Sequence, residues 1–456
     1  MPTPCLQFKA VLLLLLAVIG MPKMLVAAPP NIVLILSDDQ AWTDYGFMGH
    51  AAIKTPNLDK LAAESVLFRR GYVPTALCRP SLMTLVTGQY AHVHGVTGND
   101  PSPKYAAAES DLYKQRRAAL IANIDRFKTL PSLLLEQGYL CHQSGKWWEG
   151  SYARGGFTHG MTRGFPERGG RHGDDGLEIG RQGMQPITDF IDMAVEQKSP
   201  FFLWYAPFLP HTPHTPPARL LEKYQQPGRP ETIAKYYAMC EWFDETCGEL
   251  IDHLNASGVR DNTIIVYVTD NGWIQNPEAN GYAPRSKQTP YEGGVRTPII
   301  FNWPNHLKPQ DRPELISSID LFPTMVAMAG GNLPTGLPGL DLSDALQSGA
   351  PIQRDAIFGE GFAHDIADIN DPEASLLYRW CISGQWKLLL TYDGEVNRYR
   401  STHPRTEKGP QLFNLQDDPT EENNLASQHP EIVAQLVDRI QNWYPVKQRK
   451  TQLTAP

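Results

Sequence analysis

The chain has 456 residues, 41% of them hydrophobic, and a formal net charge of −8 at pH 7. That length exceeds one ordinary domain, so a large domain with a smaller companion is expected. The acidic balance argues against a broad nucleic-acid-binding surface, and beyond the N-terminus no apolar run approaches the length of a membrane span.

At the N-terminus Lys9 precedes "AVLLLLLAVIG", and the small-residue stretch "VAAPP" follows. This is the pattern of a secretory signal peptide over residues 1–28, with an uncleaved anchor as the rival reading. Cleavage would leave a secreted or periplasmic chain with no stable membrane insertion. Apart from Cys5, the cysteines are 78, 141, 240, 247 and 381. That odd set leaves at least one thiol unpaired. Cys240 and Cys247 fall on one face of an expected helix, which favours packing over a mutual bond.

"NIVLILSDD" is an apolar strand run that ends abruptly in Asp38 and Asp39. "TPNLDKLAAESVLF" reads as a helix with a Thr-Pro start. In "PTALCRPSLMTLVTGQY" Cys78 stands at a strand-to-helix junction, ahead of an apolar helical run. "TLPSLLLEQGY" predicts a helix, "PFFLWYAPF" a buried strand, and "ETIAKYYAMCEWFDETCGELIDHLNASG" a long helix closed by Asn, Ser and Gly. "TIIVYVTDNG" repeats the first design, a strand ending at Asp270 and Asn271, and "TPIIFNWP" adds another strand. Residues 99–128 and 160–186 are polar insertions; the second, rich in Gly and Arg, reads as a surface loop, with holding an anionic substrate as the alternative.

Buried strands alternating with helices indicate an α/β fold, a large mixed but mostly parallel sheet sandwiched by helices. Such sheets carry their sites at the strand C-termini. After about residue 360 the texture changes. "LLYRWCISGQWKLLLTYDG" alternates like a hairpin and "EIVAQLVDRIQNWYP" is an amphipathic helix, so a smaller α+β subdomain is expected over 361–456, after a larger α/β domain over 29–360.

Each acid pair alone is a turn or helix cap. Together, three carboxylates at one sheet edge would repel one another unless a cation sat among them. Asp and Asn oxygens without a His or Cys partner suit a hard divalent ion, calcium before magnesium.

In order along the chain, "PNIVLILSDDQ", "TPNLDKLA", "LCRPS…VTGQY", "SGKWW", "PHTPH", "VTDNG", "YEGGVRTPIIFNWP", "SSIDLFPTM" and "LFNLQDDPTEENNLA" resemble the sulfatase family, formylglycine-dependent members of the alkaline-phosphatase-like superfamily. The resemblance implies that Cys78 is oxidised to formylglycine by a maturation enzyme. It implies calcium ligands at Asp38, Asp39, Asp270 and Asn271, with the modified Cys78 joining them. Lys146 and Lys287 match the two sulfate-binding lysines, and His211 the histidine that helps protonate the leaving oxygen. The implied activity is hydrolysis of a sulfate monoester, on a sulfated carbohydrate or an aryl sulfate. The alternatives are a phosphate or phosphonate ester hydrolase of the same superfamily, or a weakened relative that binds sulfated glycan.

Two positions depart from the family pattern. The arginine four residues after the cysteine is Leu82, and Gly-Lys-Trp-His becomes Gly145-Lys146-Trp147-Trp148. Arg79 does not repair the first loss, because i+1 points about 100° from the cysteine's face whereas i+4 shares it. The paired Trp147 and Trp148 would offer a flat apolar face to a sugar or aryl ring, or else pack in the core.

Overall fold

A computed structural model describes residues 28–104, 106–391 and 409–446, besides Met1. The expected signal segment falls almost wholly outside the described residues. Among the described residues no helix is long and apolar enough to cross a membrane.

The main sheet has nine strands. Across it run Ile316–Ser317, Val66–Tyr72, Arg296–Asn302, Thr263–Thr269, Asn31–Ser37, Phe201–Ala206, Leu140–Gly145 and His159–Gly160, with Gln310–Arg312 also paired to Val66–Tyr72. Only Arg296–Asn302 runs antiparallel to its neighbours; every other pairing is parallel. The mixed, mostly parallel sheet is therefore as the strand runs indicate.

Alternation along the strands builds two cores. Ile32, Leu34, Leu36, Phe202, Trp204, Val266 and Val268 pack on one face, against the helices Cys78–Thr87, Leu130–Glu136 and Leu321–Met328. Val33, Ile35, Leu203, Tyr205, Ile265 and Tyr267 pack on the other, against Pro56–Ala63, Gln185–Glu196 and Glu231–Ala256. Strands buried on both faces read as continuous apolar runs, which is why they stand out in the sequence.

One expected helix is shorter than its pattern. In "TPNLDKLAAESVLF" the helix ends at Ala63, and Val66, Leu67 and Phe68 open a strand. These three apolar residues are buried between Arg296–Asn302 and Gln310–Arg312, so sheet pairing overrides the helical period.

A four-stranded antiparallel sheet of Ile357–Phe362, Leu376–Ser383, Trp386–Thr391 and Gln411–Asn414 forms the smaller unit, with the helix Pro430–Trp443 packed on it. Lys387 of this sheet ties the two units together. Its ammonium lies 3.0 Å from Glu292 Oε1 of the main domain and 2.9 Å from Glu421 Oε1. The backbone N–H of Glu292 donates to Glu421 Oε2 (2.6 Å), and the Tyr72 hydroxyl donates to Glu292 Oε2 (3.0 Å). Cys78, Cys141, Cys240, Cys247 and Cys381 are all free and buried.

Candidate active site

Strand register gathers the acids. Ser37 lies opposite Thr269 in a parallel pairing, so Asp38–Asp39 and Asp270–Asn271 leave the sheet side by side. Gly145 lies opposite Ala206 two strands away, which brings Lys146 out at the same edge. The loop carrying His211 follows that strand, and the Asp38 N–H donates to the Leu209 carbonyl (3.0 Å). Two backbone positions are specialised. Asp39 has φ of +64°, and Gly145 has φ of +85° with its α-carbon so close to Ala206 that any Cβ would meet the carbonyl oxygen.

Cys78 is the first residue of a helix every residue of which is buried. Its sulfur lies 3.0 Å from Lys287 Nζ and 4.0 Å from Asp38 Oδ1. Lys287 also reaches Asp39 Oδ1 (2.5 Å), and Lys146 Nζ is 2.7 Å from Asp38 Oδ1 and 3.9 Å from Asp270 Oδ2. His211 Nε2 is 3.3 Å from Asp39 Oδ2. One ligand atom each from Asp38, Asp39, Cys78 and His211 falls within 4.8 Å of the others. All eight residues singled out in the sequence thus meet in one place. Half-buried His211 and Phe208 mark its open side.

The local hydrogen bonds leave four oxygens over. The N–H groups of Asp39 and Asn271 donate to Asp270 Oδ1, and the Asn271 amide donates to Asp39 Oδ1. Asp38 Oδ2, Asp39 Oδ2, Asp270 Oδ2 and Asn271 Oδ1 are buried with no hydrogen-bond partner among the described residues. Unsatisfied buried oxygens are costly, and three carboxylates against two ammoniums leave a local excess of negative charge. A hard cation with oxygen ligands fits this set.

The electrostatics agree. Burial first, then the neighbouring carboxylates, push Asp38 and Asp270 above the ordinary range, against the pull of Lys146 and Lys287. Burial works to lower both lysines, but the surrounding acids outweigh it and hold them above their ordinary values. Burial raises the Cys78 thiol to about 12, so unmodified it is a poor nucleophile at neutral pH. Burial and the two lysines push His211 well below its usual value. Its Nδ1 donates to the Thr212 carbonyl (2.6 Å), which leaves a bare Nε2 facing Asp39 Oδ2. Acceptor against acceptor is relieved by a proton or a cation.

The departures from the family pattern have clear structural outcomes. Leu82 packs in the core. Arg79 turns away from the cysteine's face, as its helical position dictates. Its guanidinium grips both Glu149 oxygens (2.7 Å each) and the Asn99 carbonyl (3.1 Å), tying the helix to the loop after Lys146. Of the two readings of the tryptophans, the structure shows the packed one. Trp147 packs edge-on against Phe157 and Trp204, and Trp148 is ringed by the guanidiniums of Arg79, Arg117 and Arg171.

Three features escaped the sequence reading. Glu149 holds Arg79. Arg181 donates to the carbonyls of Phe208 and His211 (2.8 Å each), pinning the His211 loop. Phe208 lies under the Lys146 ammonium at 5.5 Å and stacks on His211 with ring centres 4.3 Å apart. Arg181 belongs to the Gly- and Arg-rich insertion, whose composition was the one available signal.

The family model for sulfatases matches residues 30–331, and that for the C-terminal region of N-sulphoglucosamine sulphohydrolase matches 285–445. The chain is 28% identical to arylsulfatase A of Bos taurus, over 91% of this chain and 87% of that one. It is 29% identical to N-acetylgalactosamine-6-sulfatase of Mus musculus, over 90% of this chain and 84% of the relative. Its fold is similar to that of Ps i-CgsB in complex with k-i-k-neocarrahexaose, with a TM-score of 0.71, 24% identity, and 92% and 94% of the two chains covered. With two thirds of its length matched by the family model and the strand-end cluster intact, the chain belongs to the sulfatase family and is a sulfuric ester hydrolase.

Proposed function

We propose that the protein is a secreted, calcium-dependent sulfatase that removes sulfate from a monoester of a sulfated glycan, with Cys78 matured to formylglycine. The observation that carries the reading is the set of four partnerless buried oxygens on Asp38, Asp39, Asp270 and Asn271, beside Cys78 and two lysines. When bound, calcium supplies charge to polarise the ester, and formylglycine supplies an oxygen nucleophile where a thiol would form a thiosulfate ester with no easy exit.

The chain's own residues account for the rest. Asp38, Asp39, Asp270 and Asn271 would hold the ion through oxygens that have no hydrogen-bond partner among the described residues. Lys146 and Lys287, kept protonated by the acids around them, bind sulfate oxygens and offset the charge that grows as the ester bond lengthens. His211 anchors Nδ1 on Thr212 and keeps Nε2 for the leaving oxygen. A proton carried there passes to the departing alcohol and leaves neutral imidazole, the form its surroundings favour. The aromatic Phe208 beside it suits a sugar ring. The glycan assignment draws on the relatives' names and on the carrahexaose complex.

The test is mass spectrometry of the peptide around Cys78, from protein made in its native host, with parallel assays of sulfate and phosphonate esters sharing one leaving group. An aldehyde in place of the thiol, with faster sulfate release, is expected. An intact thiol in active protein, or preference for the phosphonate, would overturn the reading.

A further inference from the structure

His172 lies in the Gly- and Arg-rich insertion, yet its ring packs on side chains that border the site. It leans on Trp148 (ring centres 5.1 Å apart) and on Phe208 (5.5 Å), the ring that stacks on His211 and underlies Lys146. The segment is fixed by backbone contacts. The Trp147 N–H donates to the His172 carbonyl (3.1 Å), and the Thr162 hydroxyl donates to the Gly173 carbonyl (3.0 Å).

Nδ1 of His172 is buried and has no hydrogen-bond partner among the described residues, so Nε2 is the nitrogen left for a ligand. Burial, with Lys146, Arg171 and Arg117 outweighing Asp100, holds the imidazole neutral, its pKa down at about 3. A neutral ring beside an ammonium adds nothing to an anion clamp. It offers an uncharged hydrogen bond, the kind that reads a hydroxyl. Trp148, the neighbour it packs on, is closed off by three guanidiniums, each already paired with a carboxylate, so the imidazole is the uncharged polar group beside them.

We propose that His172 is a substrate-contacting residue whose Nε2 hydrogen-bonds a hydroxyl of the sugar that carries the sulfate, next to the ester held by Lys146. The inference rests on the sulfated-glycan reading. It makes the insertion a specificity element for hydroxyl-bearing leaving groups, rather than an anion-holding loop.

The test uses full-length protein with Cys78→Ser, so that binding is read without turnover. The probes are galactose 6-sulfate, N-acetylgalactosamine 6-sulfate and 4-nitrophenyl sulfate, titrated by calorimetry. His172→Phe keeps the stacking on Trp148 and Phe208 but removes the nitrogen, and His172→Gln restores a polar contact. Loss of about tenfold in affinity for the sugar sulfates in His172→Phe, with partial recovery in His172→Gln and 4-nitrophenyl sulfate unchanged, supports the proposal. Unchanged sugar binding in His172→Phe overturns it, as does an equal loss for sugar and aryl probes. Binding of the aryl sulfate with no binding of either sugar also overturns it and leaves a sulfatase reading standing. Sugar binding that depends on His172, in a native-host protein that hydrolyses no sulfate ester, supports the contact and sinks the catalytic reading instead.

Discussion

Two buried clusters of charge lie close along the chain, and they are built to opposite ends. Around Lys387 two carboxylates, Glu292 and Glu421, meet a lysine, a tyrosine hydroxyl and a backbone N–H. Arg296 approaches Glu292 at 3.4 Å, so two acids face two bases, and Glu421 Oε1, though without a hydrogen bond, lies against the Lys387 ammonium. Around Cys78 three carboxylates meet two lysines, and four oxygens remain unanswered. A closed cluster holds parts together; an open one is shaped for something that arrives later. The two are linked, since Glu292 opens the short helix five residues after Lys287, and Gly272, just past Asn271, donates its N–H to the Gly294 carbonyl of that helix (2.8 Å). The first cluster fixes the frame in which the second stays open.

Substitutions should separate these roles. The largest effect belongs to Cys78→Ala, which should lower kcat by at least about 10³-fold while leaving the melting temperature within a few degrees. Loss of stability with activity retained would reverse the assignment. Next comes Lys387→Met, which strands two buried carboxylates and should destabilise the fold by about 3–5 kcal/mol in denaturant unfolding. Lys287→Ala should reduce kcat/KM by about 10²–10³-fold, in an otherwise folded enzyme. Calcium at a hundred times its dissociation constant should stabilise the protein by about 2.7 kcal/mol. Asp39→Asn should abolish that increment and Lys387→Met should preserve it. Magnesium giving the same gain would contradict the choice of ion.

The smallest effect is one of pH. Burial raises Glu421 from its ordinary 4.5 to about 7, helped by Glu292 and opposed by Lys387. Between those values the native state keeps a proton that the unfolded chain has lost. Its contribution to stability is therefore full below about 4.5 and disappears as pH rises through about 7. Glu421→Gln should flatten the stability curve in that window, and an unchanged slope would place the titration elsewhere.

Much of this was legible in the residues themselves. "NIVLILS" and "TIIVYVT" announce strands because burial on both faces leaves no polar phase, and the acids that follow them mark the strand ends. Leu82 and Arg79 could be sorted by helical angle alone. The pairing of Lys387 with Glu292, 95 positions apart, left no local trace, because a single lysine in an alternating strand looks solvent-facing. The strand opening at Val66 was hidden by a helical period that ran on across it. His172 was masked by composition, since a stretch full of Gly and Arg gives no sign of which side chain folds inward. Trp147 and Trp148 read equally well as wall or as packing, and only their neighbours decide between the two.

The helix that begins at Cys78 has no exposed residue, and the thiol at its head is 1% exposed. Under the proposed maturation, an enzyme acting on Cys78 would meet a closed surface once this helix had packed, so the oxidation would have to precede folding.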